Sequence, residues 1–216
     1  MPVILKIEHQ DGQCTALWEI TENEQTLLEM ASLDDAGLHT FSLLTNEGRR
    51  MEWLAVRALL KELHSSASVI GYLENGKPFL LNHSDYISIS HSGKMVGIVT
   101  HPNKNPGLDI EALRPKIHKI AYRFLGEREI KCLGASPTTE QLTIIWAAKE
   151  VLYKVYGQTC ISFQRDFEIN PFELSPKGKL EGSIHRDDNL TIPMEYRKIG
   201  EFILVQTDYT NTLPGH

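Results

Sequence analysis

The chain has 216 residues, 41% of them hydrophobic and 23% charged, with a net charge of −6. That length suits one domain or two small ones packed together, and the acidic balance argues against wholesale nucleic-acid binding. Its three cysteines, Cys14, Cys132 and Cys160, are odd in number and scattered, which argues against a disulfide framework or a zinc site and fits a reducing cytoplasm. The opening MPVILKIEHQ is too short in apolar residues for a signal peptide, and no later run reaches membrane-spanning length.

Residues 3–9 and 14–20 read as two strands around the hairpin signal Asp11-Gly12. Thr21, with Glu24 three residues on, predicts a capping box opening a helix that carries Leu27, Leu28 and Met30. A longer helix is expected from about Gly48 to His64, with Arg49, Arg50 and Arg57 on its more polar surfaces, as solvated charge or as phosphate contacts. Asn75-Gly76 marks a tight turn, with Lys77-Pro78 in a rigid extended piece. In YISISHSGKMVGIV, Ile87 and Ile89 alternate with Ser88 and Ser90, a strand with one polar face. Ser90, His91, Ser92 and Gly93 read as the turn into a return strand from Met95 to Val99.

Gly107-Leu108-Asp109-Ile110-Glu111 follows Pro106. If extended, it points Asp109 and Glu111 to one face and Leu108 and Ile110 into the core. Two carboxylates so placed form a polar strand end, or else share a cation; hard oxygen ligands suit Mg²⁺ or Mn²⁺. A helix opened by Thr138 and Gln141 and closed by Gly157 is apolar nearly all round. Trp146, Lys149, Glu150, Tyr153 and Lys154 are expected along one side of it. Glu150 and Lys154 either pair at i and i+4, or Glu150 joins Asp109 and Glu111 around one metal with Lys154 a point charge for phosphate. Between these segments, Ile117, Ile120, Ala121 and Phe124 make one helical stripe and Lys116, Lys119 and Arg123 a basic one. Beyond Gly157, strands are expected at Ser162–Ile169, Lys179–Ile184, Leu190–Arg197 and Glu201–Thr207, punctuated at Asn170-Pro171, Pro176 to Gly178 and Asp187 to Asn189.

GLDIE followed by WAAKEVLYK resembles the G-[IV]-D-x-E and W-x-x-K-E-x-x-x-K motifs of the 4'-phosphopantetheinyl transferases of the surfactin-synthetase-activating type. The resemblance extends to Gly76-Lys77-Pro78 and Ser90-His91-Ser92, so it runs from about Gly76 to Gly157. It implies an α+β fold of two similar α/β subdomains, 1–103 and 104–216, related by a pseudo-two-fold axis with a cleft at their interface. It implies coenzyme A in that cleft, against Lys77, Pro78, Ser90, His91 and Lys154, with Arg49, Arg50 and Arg57 as candidates for the 3'-phosphate. The metal would sit on Asp109, Glu111 and Glu150. Glu150, Lys154 and His91 would be the catalytic set, and Lys149 a further phosphate or partner contact. The expected reaction is Mg²⁺-dependent transfer of 4'-phosphopantetheine from coenzyme A to a serine of an acyl or peptidyl carrier protein. That protein would dock on Lys116, Lys119 and Arg123, and Glu150, a metal-bound water or His91 would serve as base. A monomer in the cytoplasm is expected. The rival readings are a metal-dependent phosphohydrolase and a non-catalytic coenzyme A-binding protein.

Overall fold

The computed structural model describes residues 3–64, 69–186 and 189–210. The chain opens with a hairpin, β1 (Val3–Glu8) and β2 (Cys14–Glu19), closed over Gly12 at φ 90°. Helix α1 (Glu24–Ala31) follows, but Asn23 caps it by accepting the Thr26 amide at 2.9 Å. Glu22 instead accepts from the Thr21 amide and the Trp18 indole, so the capping box expected at Thr21 does not form. Helix α2 (Asp35–Ser42), capped by Asp34, was not expected; it buries only Phe41. Helix α3 (Glu47–Leu63) runs close to its predicted span. A small hairpin, β3 (Ile70–Tyr72) and β4 (Pro78–Leu80), carries the Asn75-Gly76 turn.

β5 (Tyr86–Ser92) and β6 (Met95–His101) pair with Ser92 opposite Met95. The turn is therefore Gly93-Lys94, and Ser90, His91 and Ser92 belong to the strand. β7 (Leu108–Ala112) holds the predicted extended carboxylate segment. The basic segment is not one helix: α4 (Ile117–Ile120) passes into a 3-10 turn over Ala121–Arg123, and α5 (Glu127–Leu133) starts anew at Gly126. The central helix α6 (Thr139–Tyr156) has the predicted Thr138/Gln141 capping box and ends at Gly157 with φ 69°. β8 (Phe167–Ile169), β9 (Lys177–Ile184), β10 (Leu190–Ile199) and β11 (Phe202–Thr207) complete the chain. Residues 162–166 form a turn rather than a strand, because Asp166 accepts the Ser162 amide at 2.7 Å. Lys177 and Gly178 are already in β9. Of the predicted break at Asp187 to Asn189, residues 187 and 188 lie outside the described set.

Beside the β3-β4 hairpin, the described residues form two larger antiparallel sheets, ordered β1-β2-β6-β5 and β7-β11-β10-β9-β8. A strand–helix–hairpin pattern recurs. β2 precedes α3 and pairs with β6, the last strand of the following hairpin; β7 precedes α6 and pairs with β11 in the same way. Each long helix covers its own sheet, and a third cluster, Leu17, Met95, Val99, Leu108, Ile110 and Leu204, fills the space between the sheets. Full burial of an aliphatic side chain of this size contributes about 1.5–3 kcal/mol. A Cβ on Gly97 would lie 2.6 Å from Ile110 and from Leu17, so this glycine lets β7 approach β6.

The sheets also meet along their outer strands. Ser88, Ser90 and Ser92 of β5 accept the amides of Leu108, Ile110 and Ala112 at 3.2, 3.1 and 3.2 Å. Alternate side chains of one strand thus meet alternate amides of the other, the period of two that strand geometry imposes on both. Unpaired amides at a sheet edge need partners, and the serines supply them.

Candidate active site

The serine seam delivers β7 so that Asp109 faces α6. Asp109 is 5% exposed; its Oδ1 accepts from Ser90 Oγ at 2.8 Å and from Lys154 Nζ at 2.8 Å, while its Oδ2 is buried with no hydrogen-bond partner. Lys154 also donates to the Leu108 carbonyl at 2.7 Å. The lysine therefore pairs with the strand carboxylate rather than with Glu150 one turn away. Glu111 accepts from the Trp146 indole at 2.8 Å. Its pKa is raised, chiefly by burial and then by the Asp109 charge, with Trp146, Lys154 and Arg114 opposing. Glu150 is pushed up to about 7 by burial and by the charges of Asp109 and Glu111, with Lys154 opposing.

Glu111 and Glu150 thus share one electrostatic environment, with the Asp109 charge beside them, that disfavours ionisation of the two glutamates. Among the described residues, one oxygen from each of the three carboxylates does not come within 4.8 Å of the other two, so closing all three round one ion requires a side-chain rotation. Their hard oxygen donors, the unpartnered Asp109 Oδ2 and the mutual repulsion suit a divalent cation such as Mg²⁺.

Lys149 is not part of this group. Its side chain is fully buried, and its ammonium donates to Glu129 at 2.7 Å and to the Phe124, Phe163 and Phe167 carbonyls at 2.6, 2.9 and 2.9 Å. Neighbouring helix positions lie about 100° apart. Glu150 therefore faces β7 while Lys149 faces the core beside α5 and β8, which excludes the expected phosphate or partner contact.

Beside Asp109 a cavity of about 200 Å³ is lined by Lys77 and Pro78, by Ser88 and Ile89 of β5, and by Tyr153 and Lys154 of α6. Asn75 closes one end by donating to the Gly157 carbonyl at 2.9 Å. A second hollow of about 420 Å³ shares Gly76, Pro78 and Ile89 with it and is lined further by Arg49, Glu52, Trp53, Arg57 and His91. Burial lowers the pKa of Lys77 and pushes Arg57 down to about 10. The Arg57 guanidinium lies 3.2 Å over the Trp53 ring, a cation–π contact that holds it at the wall. His91 is half exposed and stands 3.3 Å from Glu52.

Most predicted contacts therefore converge: Lys77, Pro78 and Lys154 on the first cavity, Arg49, Arg57 and His91 on the second. Two do not. Arg50 makes a two-pronged ion pair with Glu24 at 2.6 and 2.6 Å, donates to the Leu44 carbonyl and stacks on Phe41, which occupies it in joining α1 to α3. Ser90, 6% exposed, spends its hydroxyl on Asp109 and Ile110 and presents none to a ligand. Sequence reading missed Trp146 as the partner of Glu111 and Glu52 as the partner of His91. Glu52 lies three residues from Arg49 on one helix face, a spacing that could have flagged it.

Residues 105–201 match the family model of the 4'-phosphopantetheinyl transferase superfamily. The segment holds Asp109, Glu111, Trp146, Glu150 and Lys154; Lys77, His91 and the arginines precede it. Among curated proteins, the chain is 34% identical over 115 residues to 4'-phosphopantetheinyl transferase AcpT of Escherichia coli (strain K12), covering 50% of this chain and 59% of that protein. It is 31% identical over 115 residues to AcpT of Salmonella typhimurium, covering 50% and 60%. It is 33% identical over 92 residues to the 4'-phosphopantetheinyl transferase of Bacillus subtilis, covering 41% of each. The matches thus span less than two thirds of these relatives. Among the described residues, no helix is long and apolar enough to cross a membrane.

Proposed function

We propose that the chain transfers the 4'-phosphopantetheine group of coenzyme A to a serine of an acyl or peptidyl carrier protein, releasing adenosine 3',5'-bisphosphate. One observation carries this reading: Asp109, Glu111 and Glu150 lie close enough to perturb one another's charge, and Lys154, paired with Asp109, lines a cavity together with Lys77 and Pro78. Mg²⁺, or Mn²⁺ in its place, would be held by Asp109, Glu111 and Glu150 and would offset charge developing on the pyrophosphate oxygens. Lys154 supplies a fixed positive charge at the same place. Lys77, Arg49, Arg57 and His91 bind the nucleotide end. The serine oxygen forms the new bond to phosphorus as the phosphorus–oxygen bond to adenosine 3',5'-bisphosphate breaks, and the serine proton passes to a base. Glu150, on the helix face beside Lys154, is our assignment for that base; His91 is directed toward Glu52.

The recurring strand–helix–hairpin topology supports two similar subdomains, 1–103 and 104–216, related by a pseudo-two-fold axis. Lys116, Lys119 and Arg123 are all exposed, which supports docking of an acidic carrier protein on this face. Incubation of an apo carrier protein with coenzyme A, Mg²⁺ and the enzyme should add one phosphopantetheine group to the carrier by mass spectrometry. Cleavage of coenzyme A without an acceptor would favour a phosphohydrolase, and no reaction at all would favour a coenzyme A-binding protein.

A further inference from the structure

We propose that His64, His83 and Asp85 form a second metal site, outside the cleft, that takes Zn²⁺ or a cation of similar softness. One ligand atom from each lies within 4.8 Å of the other two. His83 Nδ1 is 3.1 Å from Asp85 Oδ1, their side chains 32% and 16% exposed. At metal–ligand distances of about 2.0–2.2 Å, the edge of a tetrahedron is roughly 3.4 Å, so that pair already stands near coordination spacing. His64 Nε2 is buried without a hydrogen-bond partner, although buried polar atoms are ordinarily satisfied. The two imidazole rings lie 4.6 Å apart between centroids.

Each residue is held by local structure. His64 is the C-cap of α3, its amide donating to the Leu60 carbonyl at 2.9 Å. His83 Nδ1 accepts the Asp85 amide at 3.2 Å within the connection from β4 to β5, a bond that gives way when that lone pair turns to a metal. Two imidazoles and one carboxylate suit Zn²⁺ rather than Mg²⁺, with a coordination position left for solvent. A filled site would tie the end of α3, which carries Arg49 and Arg57, to the segment leading into β5, which carries His91. The inference is independent of the proposed transfer activity.

The test uses the full chain without a polyhistidine tag, stripped with chelator and titrated with zinc chloride against a chromogenic competitor. With Mg²⁺ in excess to occupy the cleft, the wild type should bind one equivalent of zinc, and His83→Gln and Asp85→Asn should bind it roughly tenfold or more weakly. His185→Gln, which removes an imidazole away from both sites, should bind as the wild type does. Zinc should raise the melting temperature of the wild type and leave that of His83→Gln unmoved. The His83 side chain is more exposed than that of Asp85, so its replacement tests the site without dismantling the core. Zinc binding equal in the wild type and His83→Gln, no zinc binding, or loss of zinc in His185→Gln alone would each overturn the proposal.

Discussion

Ser90 Oγ stands 2.8 Å from Asp109 Oδ1, across the junction of the two sheets. One hydroxyl thereby does two things: it accepts the Ile110 amide and steadies the carboxylate on the same strand. Removing it leaves a buried amide and a buried carboxylate oxygen each short of a partner, at a cost of about 1–3 kcal/mol. Ser90→Ala should lower stability in urea denaturation by that amount, and Ser92→Ala, at the half-buried end of the seam, by less.

Lys149 and Glu129 are a buried pair, 0% and 2% exposed. Glu129 also accepts the Gly126 and Ile169 amides at 2.7 and 2.9 Å, so it stays fixed when the lysine goes. Breaking such a pair from one side costs about 3–5 kcal/mol. Lys149→Met should show that loss in chemical denaturation, and the double variant Lys149→Met/Glu129→Leu should recover part of it.

Glu150 gives the metal-free protein a pH dependence. Its folded pKa is raised from 4.5 to about 7, so between those values the native state holds a proton that the unfolded chain has released. Stability from this group is therefore present below pH 4.5 and is lost as pH rises through 7, a change of up to about 3 kcal/mol. Glu111 is shifted in the same direction. Glu150→Gln should flatten the fall in stability across this window and, above pH 7, be more stable than the metal-free wild type; a slope unchanged by the substitution would refute this assignment.

Arg50 and Arg57 lie on one helix and should separate cleanly. Arg50 is committed to Glu24 and to the end of α2, so Arg50→Ala should lower the melting temperature and leave the KM for coenzyme A unchanged. Arg57 lines the second hollow, so Arg57→Ala should raise that KM. Reversing Lys119 and Arg123 to Glu should raise the KM for the carrier protein alone.

The parts of this site legible in the sequence are those set by local periodicity. Alternation placed Asp109 and Glu111 opposite Leu108 and Ile110, and Thr138, Gln141 and Gly157 bounded the central helix. Long-range partners were not legible. Ser90 reads as a ligand contact until β7, twenty positions later, brings its amides alongside. Arg50 reads as free charge until Glu24 closes on it. Which of Lys149 and Glu150 faces the core and which faces β7 could not be assigned, because a helix apolar nearly all round offers no polar face to orient by. Helix α2 escaped notice because only Phe41 on it is buried, too little to set a pattern.

The central claim is that Asp109, Glu111 and Glu150 act together on one divalent ion. Titrating Mn²⁺ into the protein with coenzyme A present, followed by water-proton relaxation, tests it most directly. The account predicts one cleft-bound ion in the wild type, its affinity reduced at least roughly tenfold in Asp109→Asn and in Glu150→Gln. Mn²⁺ bound equally well by the wild type and both variants would contradict it.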